Sequence, residues 1–258
     1  MLIPFSKMEA QGNDFVILEL IPALKTNLPL NILAADICKN HTGVGADGLV
    51  ILLASEVADG KMIIYNKDGS RAEMCGSALR CCASLLSGYT GKKELKIETD
   101  GGIKTAIIQE EGIQVNLGKP NLIKDNIWVE GIEGTLVDIG NLHFVSYQDV
   151  LNGQEQRLGP ILEKHPSFPG PVNVEFVHPY SAKEIEMKVW EKGVGFTQAC
   201  GTGAVASVFT GINRGILADE VKVNMPGGEV LIRKLENGEF LLEGPVTNVF
   251  NGVYIWKI

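Results

Sequence analysis

Two short segments of the sequence place a cysteine directly before a run of small residues. Cys75 opens Cys-Gly-Ser-Ala at 75–78, and Cys200 opens Cys-Gly-Thr-Gly-Ala at 200–204. At the start of a helix, a cysteine lies near unpaired backbone N–H groups and the positive end of the helix dipole, which favours its thiolate form. The same amides bind carboxylates and phosphates readily. The two segments therefore predict two thiols able to act as acid and base beside a bound carboxylate.

This pairing fits the inversion of a carbon stereocentre. Inversion requires that a proton leave one face of the carbon and that another return to the opposite face. The α-proton of an amino acid is very weakly acidic, so fixed amide donors must stabilise the developing charge on its carboxylate. One such cysteine turn alone could equally be a structural helix cap with an inert thiol. Two matched turns favour the chemical interpretation.

The residues after each cysteine predict a helix. The runs SALRCCASLL and TGAVASVFTGI contain small and apolar residues, which is typical of helices buried on most sides. We expect one helix from Ser77 to about Ser87, with a stop at Gly88, and one from about residue 202 to 213, with a stop near residue 215. Ser77 and Thr202 are predicted to cap them. A third helix is expected over about 29–39.

Most of the remaining sequence predicts strands separated by Gly, Asp and Asn turns. Clear strand patterns occur at 115–118, 135–140, 173–177, 184–190, 221–225 and 229–235. The fold class is therefore α/β (α+β). Because the two cysteine turns lie about half the chain apart, two similar halves are expected. Their boundary is predicted in a loop-rich stretch at Lys119–Asn126.

Composition narrows the classes of function. The 258-residue chain has 45% hydrophobic residues and a formal net charge of −8, and it has no block of Lys or Arg, so nucleic acid is not an expected partner. We see no signal peptide and no apolar run of about 20 residues, so no membrane association and a cytoplasmic location are expected. The cytosol is reducing, and the five cysteines are therefore expected to be free. The cysteine and histidine spacings do not match zinc sites, so no metal is predicted.

Longer motifs in the same order resemble the diaminopimelate epimerase family over nearly the whole chain. They are KMEAQGNDFV at 7–16, HTGVGADGLV at 41–50, YNKDGSRAEMCGSALRC at 65–81, GNLH at 140–143, NVEFV at 173–177, WEKGVGFTQACGTGA at 190–204, PGG at 226–228 and EGPVTNVFNGVYI at 243–255.

The resemblance implies a cofactor-independent isomerase that interconverts LL- and meso-2,6-diaminopimelate in lysine and peptidoglycan biosynthesis. It implies two domains, each an antiparallel barrel-like sheet around a central buried helix. The first would span 1–118, with a last strand at 248–258 returning to it, and the second 119–247. The expected partner is a small-molecule amino acid, with the chain itself as a homodimer.

The resemblance also implies roles for individual residues. Cys75 and Cys200 would be the catalytic thiols, with His143 and Glu191 beside them. Four asparagines would hold the polar end of the substrate, and four amides would bind the carboxylate at the reacting carbon. The four asparagines are Asn13, Asn66, Asn141 and Asn173. The four amides are the backbone N–H groups of Gly76, Ser77, Gly201 and Thr202.

Three positions depart from the family pattern. Ser77 stands where asparagine is usual, Leu142 where proline is common, and Lys192 where arginine would grip the distal carboxylate. A lysine supplies a point charge rather than a bidentate pair. Lys192 is therefore a candidate substrate-binding residue, and the substrate stays open. A racemase of another amino acid in the same superfamily is one alternative, and a non-catalytic thiol redox or binding protein is a more distant one.

Overall fold

The computed structural model describes residues 1–19 and 28–257, and the chain divides into two compact units. Unit 1 comprises Met1–Val115 and Gly244–Ile258, and unit 2 comprises Asn116–Glu243. Of the predicted returning segment at 248–258, Ile258 lies outside the described residues. No helix within the described ranges has the length and hydropathy needed to cross a membrane.

Unit 1 begins with a hairpin, and its described residues include two helices. In chain order its elements are β1 Leu2–Ala10, β2 Asn13–Glu19, α1 Leu30–Ile37, β3 Gly48–Leu53, β4 Gly60–Asn66, β5 Arg71–Ala72, α2 Gly76–Thr90, β6 Glu94–Thr99, β7 Gly102–Ile108 and β8 Ile113–Gly118, the last of which runs past the unit boundary.

Unit 2 repeats this order. Its elements are β9 Asn121–Val129, β10 Ile132–Asp138, β11 Leu142–Tyr147, α3 Glu155–Glu163, β12 Asn173–Ser181, β13 Glu184–Glu191, β14 Gly195–Phe196, α4 Gly201–Asn213, β15 Glu220–Met225, β16 Gly228–Lys234 and β17 Phe240–Gly244. The chain then returns to unit 1 as β18 Thr247–Ile255.

The pairing of the strands is the same in the two units. In unit 1, β2 pairs parallel with β3 across α1, and β4 pairs parallel with β6 across α2. In unit 2, β11 pairs parallel with β12 across α3, and β13 pairs parallel with β15 across α4. A parallel neighbour requires a crossover, which each helix supplies. The mixed α/β class is confirmed, although the described sheets are mostly rather than entirely antiparallel.

A nine-residue strand completes each repeat. β18 pairs antiparallel with β1, and β9 pairs antiparallel with β10. The prediction that Lys119–Asn126 is a loop-rich stretch is therefore wrong, because most of these residues belong to β9. Asn121, Asp125 and Asn126 are of residue types common in turns. Here they occupy a largely exposed strand whose pairing with β10 shifts register twice, and Asn126 has a positive φ of 53°.

The two helices that follow the cysteines pack differently from the other two. The first half of α2 and most of α4 are buried, and their small side chains allow close approach to the surrounding strands. By contrast, α1 and α3 each lie against one hydrophobic cluster. Leu33 and Ile37 of α1 pack with Phe5 and Trp256, and the α3 cluster is formed by Leu158, Leu162, Phe144 and Phe176.

The structure differs from the predicted helices in two ways. α2 continues through Gly88 to Thr90 and ends at Gly91, whose φ of 69° is the left-handed conformation that glycine adopts easily. The sequence also gave no prediction of α3. Its segment EQRLGPILE contains Gly159 and Pro160, two residues that disfavour a helix interior.

We expect Gly159→Ala to destabilise the protein, although alanine usually favours a helix. A Cβ at Gly159 would lie 2.7 Å from the ring of Trp190, which is held by an edge contact with Phe196 and a hydrogen bond from Nε1 to Glu163. Overpacking of this kind should lower the free energy of unfolding by about 1–3 kcal/mol, measured by urea unfolding followed by tryptophan fluorescence.

Gly88→Ala is the matched control. Gly88 is an exposed residue of α2, and an added Cβ would meet nothing within 4 Å. Because alanine loses less backbone entropy than glycine, this variant should gain about 0.5–1 kcal/mol. A Gly159→Ala protein as stable as the wild type would show that α3 does not press on Trp190.

Candidate active site

Cys75 is the N-cap residue of α2. Its backbone is extended, with φ −146° and ψ 123°, and helical geometry begins at Gly76. The side-chain amide of Asn13, the first residue of β2, donates toward the Cys75 Sγ at 3.9 Å. The thiol is partly exposed. The first turn of α2 thus presents the thiol and the amides of Gly76 and Ser77 at one end of a buried helix.

Cys200 occupies the equivalent position at the start of α4. Its backbone is again extended, with φ −139° and ψ 111°, and its Sγ accepts a hydrogen bond from Gly203 N at 3.4 Å. The hydroxyl oxygen of Thr202 lies 3.4 Å from the same sulfur. The prediction that Ser77 and Thr202 cap the helices is wrong, because the cysteines themselves take the N-cap positions.

The electrostatics at Cys200 oppose the simple helix-dipole expectation. Burial raises the pKa of the Cys200 thiol well above its usual value, and the carboxylates of Glu191 and Glu175 raise it further. The hydrogen bonds from Thr202 and Gly203 lower the pKa, but they are the smaller causes. In this conformation Cys200 is therefore held as a neutral thiol, ready to give a proton rather than to take one.

His143 lies beside Cys200 and is fully buried. Its Nδ1 is 2.7 Å from Glu175 Oε1, and its Nε2 is 3.0 Å from Asn141 Oδ1. Asn141 Nδ2 in turn reaches the Thr202 hydroxyl at 3.5 Å. The structure thus connects Asn141, His143 and Thr202, all predicted site residues, to Cys200.

Glu175 is a site neighbour that sequence reasoning missed. It has no exposed surface, and its carboxylate, the His143 ring and the Cys200 thiol all offer atoms within 4.8 Å of one another. The signal was a lone glutamate inside the apolar run NVEFV at 173–177, where an unpaired charge would be costly. These three side chains are also a possible set of metal ligands. However, both ring nitrogens of His143 already face protein oxygens, an arrangement suited to acid–base chemistry.

The start of β12 and the end of β13 hold further predicted residues of unit 2. Asn173 opens β12, where its Nδ2 donates to Leu142 O at 3.1 Å and its Oδ1 accepts from Lys192 N at 3.0 Å. Glu191 closes β13 and accepts a hydrogen bond from the Thr197 hydroxyl. Lys192 itself is exposed in the turn that follows. Asn173 therefore braces the backbone that carries Glu191 and Lys192.

In unit 1, Asn66 lies at the end of a strand, where its side chain bonds to a neighbouring turn. It closes β4, is exposed, and donates from Nδ2 to the Ser70 hydroxyl at 2.9 Å. A second residue missed by sequence reasoning is Arg80, which is 1% exposed within α2 and donates to Gln11 Oε1 at 2.6 Å. Its place in the apolar run SALRCCASLL was the available signal.

The other three cysteines, Cys38, Cys81 and Cys82, are buried. Burial raises the pKa of Cys38 and of Cys81 to about 12, and it raises the pKa of Cys82 well above its usual value. Such thiols behave as small apolar side chains and are chemically inert at neutral pH.

Comparisons with known proteins agree with the motif pattern. The family model described as Diaminopimelate epimerase matches residues 5–123 and 135–249. Among its relatives, the diaminopimelate epimerase of Carboxydothermus hydrogenoformans is 41% identical, with 97% of this chain and 98% of the relative covered. That of Pelotomaculum thermopropionicum is 38% identical, with 98% and 99% covered.

Solved structures show the same fold at low sequence identity. A phenazine biosynthesis PhzF-family protein from Enterococcus faecalis aligns with a TM-score of 0.72 and 13% identity, covering 99% of this chain and 100% of that chain. A hydroxyproline epimerase from Agrobacterium vitis, solved with bound trans-4-hydroxy-L-proline, aligns with a TM-score of 0.70 and 16% identity, covering 98% and 92%.

We expect iodoacetamide to alkylate Cys75 first. At pH 8 only about one part in 10⁴ of Cys81 would be thiolate, since its pKa is about 12. The thiolate is the nucleophile, and Cys75 is the thiol with partial exposure. Tryptic cleavage after Arg80 separates Cys75 from Cys81 and Cys82, so mass spectrometry can follow each label. Labelling in denaturant is the control, and equal rates for Cys75 and Cys81 in the folded protein would contradict the assignment.

Proposed function

We propose that this chain, which belongs to the diaminopimelate epimerase family, interconverts LL- and meso-2,6-diaminopimelate with Cys75 and Cys200 as its two proton carriers. The observation that carries the proposal is the repeated cysteine N-cap in a member of this family. We further propose that residues 1–118, with the strand at 248–258, and residues 119–247 are the two epimerase domains. The unit boundaries after Val115 and Glu243 support this division to within a few residues.

In this mechanism each thiol serves one face of the α-carbon. One cysteine, as thiolate, removes the α-proton, while the other, as thiol, delivers a proton to the opposite face. The amides of Gly76, Ser77, Gly201 and Thr202 would bind the substrate carboxylate, where charge accumulates. The chemistry uses protein groups alone.

The polar neighbours would fix the thiols and the substrate. We assign His143 and Glu191 to the setting of thiol protonation, because both lie beside Cys200. Asn13 and Asn141 border the thiols and would bind polar substrate atoms together with Asn66. The family resemblance gives Asn173 the same role, but its side-chain amide is already bonded to backbone at both ends.

A racemase of another amino acid is the second candidate, and one observation favours it. Lys192, which stands where the family carries arginine, is exposed and its side chain offers a single cationic group. A non-catalytic thiol redox or binding protein is the more distant alternative. Deuterium incorporation at the α-carbon in D₂O separates both enzymes from it.

We also propose a cytoplasmic homodimer. Each of the five cysteines is a thiol rather than half of a disulfide, which suits a reducing compartment. Apolar side chains lie exposed on the strand pair β1 and β18, namely Leu2, Val249, Phe250, Val253 and Ile255. Leu2 pairs with Ile255 and Pro4 with Val253, so the exposed side chains of Leu2, Val253 and Ile255 share one face of this strand pair. Exposed apolar patches are typical of protein contacts.

Cys75→Ala and Cys200→Ala should each abolish epimerisation, because each face of the carbon requires its own proton carrier. The measurement is the loss of LL-diaminopimelate and the incorporation of deuterium in D₂O. A serine variant could retain slow elimination on a substrate analogue with a leaving group. Cys82→Ala, in the same helix as Cys75, is the control and should stay active. Full activity in either alanine variant would refute the two-thiol mechanism.

Lys192→Ala should lower the specificity constant for diaminopimelate about tenfold or more. Loss of one charge-assisted contact to a distal carboxylate is worth about 1.5–3 kcal/mol, and about 1.4 kcal/mol corresponds to one decade. Lys192→Arg should retain or improve activity, and Lys183→Ala removes an exposed lysine elsewhere in unit 2 as a control. Rapid racemisation of a monocarboxylic amino acid, without activity on diaminopimelate, would instead support the second candidate.

A further inference from the structure

The two cysteine helices lie beside buried charges of opposite sign. Arg80 belongs to α2 and is 1% exposed, whereas Glu175 of β12 faces α4 and has no exposed surface. Burying either charge without an oppositely charged partner is costly. The groups that surround each of these two side chains therefore indicate which neighbouring group its charge stabilises or destabilises.

Arg80 contacts the oxygens of neutral groups. Its guanidinium donates to Gln11 Oε1 at 2.6 Å and to the carbonyl oxygens of Gly76 and Pro245, each at 3.4 Å. These three acceptors are uncharged amide and carbonyl oxygens. Arginine stays protonated in proteins, so α2 contains a permanent buried cation.

The thiolate of Cys75 is the anion that this cation can stabilise. Burial lowers the pKa of Arg80, while attraction to Cys81, Cys75 and Glu9 raises it. Glu9 belongs to β1 and Cys81 is an inert buried thiol, so Cys75, the N-cap of the same helix, is the reactive group among the three. The contact with Gln11, whose φ is 52°, also fixes the turn that carries Asn13 to the Cys75 sulfur.

Glu175 has the opposite effect on Cys200. Its Oε1 binds His143, but its buried Oε2 has no hydrogen-bond partner among the described residues. A Cβ at Gly203 would come within 2.6 Å of Oε1, so the first turn of α4 lies directly against the carboxylate. The ionisable groups facing Cys200 are His143 from β11, Glu175 from β12 and Glu191 from β13. A nearby carboxylate disfavours a second negative charge on the sulfur.

We propose that Arg80 and Glu175 are positioning residues that set the resting enzyme as Cys75 thiolate and Cys200 thiol. This inference rests on the two-thiol function proposed above. In the first half-reaction the substrate C–H bond breaks as an S–H bond forms on Cys75. The S–H bond of Cys200 then breaks as a C–H bond forms on the opposite face. The product leaves the two protonation states exchanged, and one proton must pass from Cys75 to Cys200 through solvent before the resting state returns.

The test is a pH titration of thiolate ultraviolet absorbance without substrate. Subtracting the Cys75→Ser spectrum from that of the wild type isolates Cys75, and Cys200→Ser isolates Cys200. Cys75 should ionise at the lower pH. Arg80→Met should raise the midpoint of Cys75 by about 1–3 pH units, and Glu175→Gln should lower the midpoint of Cys200 by a similar amount.

Conservative variants and surface controls separate charge from structure. Arg80→Lys and Glu175→Asp should restore most of each midpoint, whereas Arg233→Met and Glu229→Gln, which remove exposed charges, should leave both unchanged. Circular dichroism checks that each variant folds. The prediction that Cys75 ionises at a lower pH than Cys200 is tested in the wild type, without any variant of Arg80 or Glu175.

Two results would overturn the inference. One is ionisation of Cys200 below Cys75 in the wild type, and the other is unchanged midpoints in folded Arg80→Met and Glu175→Gln proteins. The titration uses no substrate, so it is independent of the proposed function. Absence of α-hydrogen exchange would refute that function even where the midpoints follow the expected order.

Discussion

A cysteine at the N-cap of a buried helix is the constraint around which each unit is built. The N-cap must be extended while the next residue is already helical, so the thiol and the unpaired amides of the first turn point to the same end. Most buried positions of the two helices have small side chains, which let the surrounding strands approach closely, while Arg80 and Leu79 are larger exceptions. Each helix also serves as the crossover between two parallel strands, which fixes the sheet around it. The same N-cap and buried helix therefore position the thiol and determine how the surrounding strands pack.

The repeated backbone carries different side chains at equivalent places. Asn66 ends β4 and Glu191 ends β13, and the same number of positions separates them as separates Cys75 from Cys200. At the start of the preceding strand, Gly48 in unit 1 corresponds to Asn173 in unit 2. The backbone geometry of the two thiols is thus alike, while their charges and hydrogen-bond partners are not.

The sequence predicted the local features better than the features formed by strand pairing. Cysteine turns, small-residue helices and alternating strands depend on neighbouring residues, and the structure contains them. The helix α3 was missed because Gly159 and Pro160 disfavour it locally, although packing of Leu158 and Leu162 on the sheet stabilises it. The contact of Glu175 with His143 depends on the parallel register of β11 with β12, which places Asn173 opposite His143. The pairing register of two strands that are distant in sequence cannot be predicted from the residues of either strand alone.

An epimerase of one stereocentre needs this combination of likeness and difference. In the proposed mechanism each face of a single carbon has its own proton carrier, and the repeated helix start would give the two carriers similar geometry. The two carriers must nevertheless hold different protonation states at any moment, since two thiolates cannot deliver a proton and two thiols cannot remove one. Identical surroundings would give both sulfurs the same proton affinity. The differing residues around Cys75 and Cys200, with Arg80 near one and Glu175 near the other, remove that degeneracy while leaving the repeated backbone unchanged.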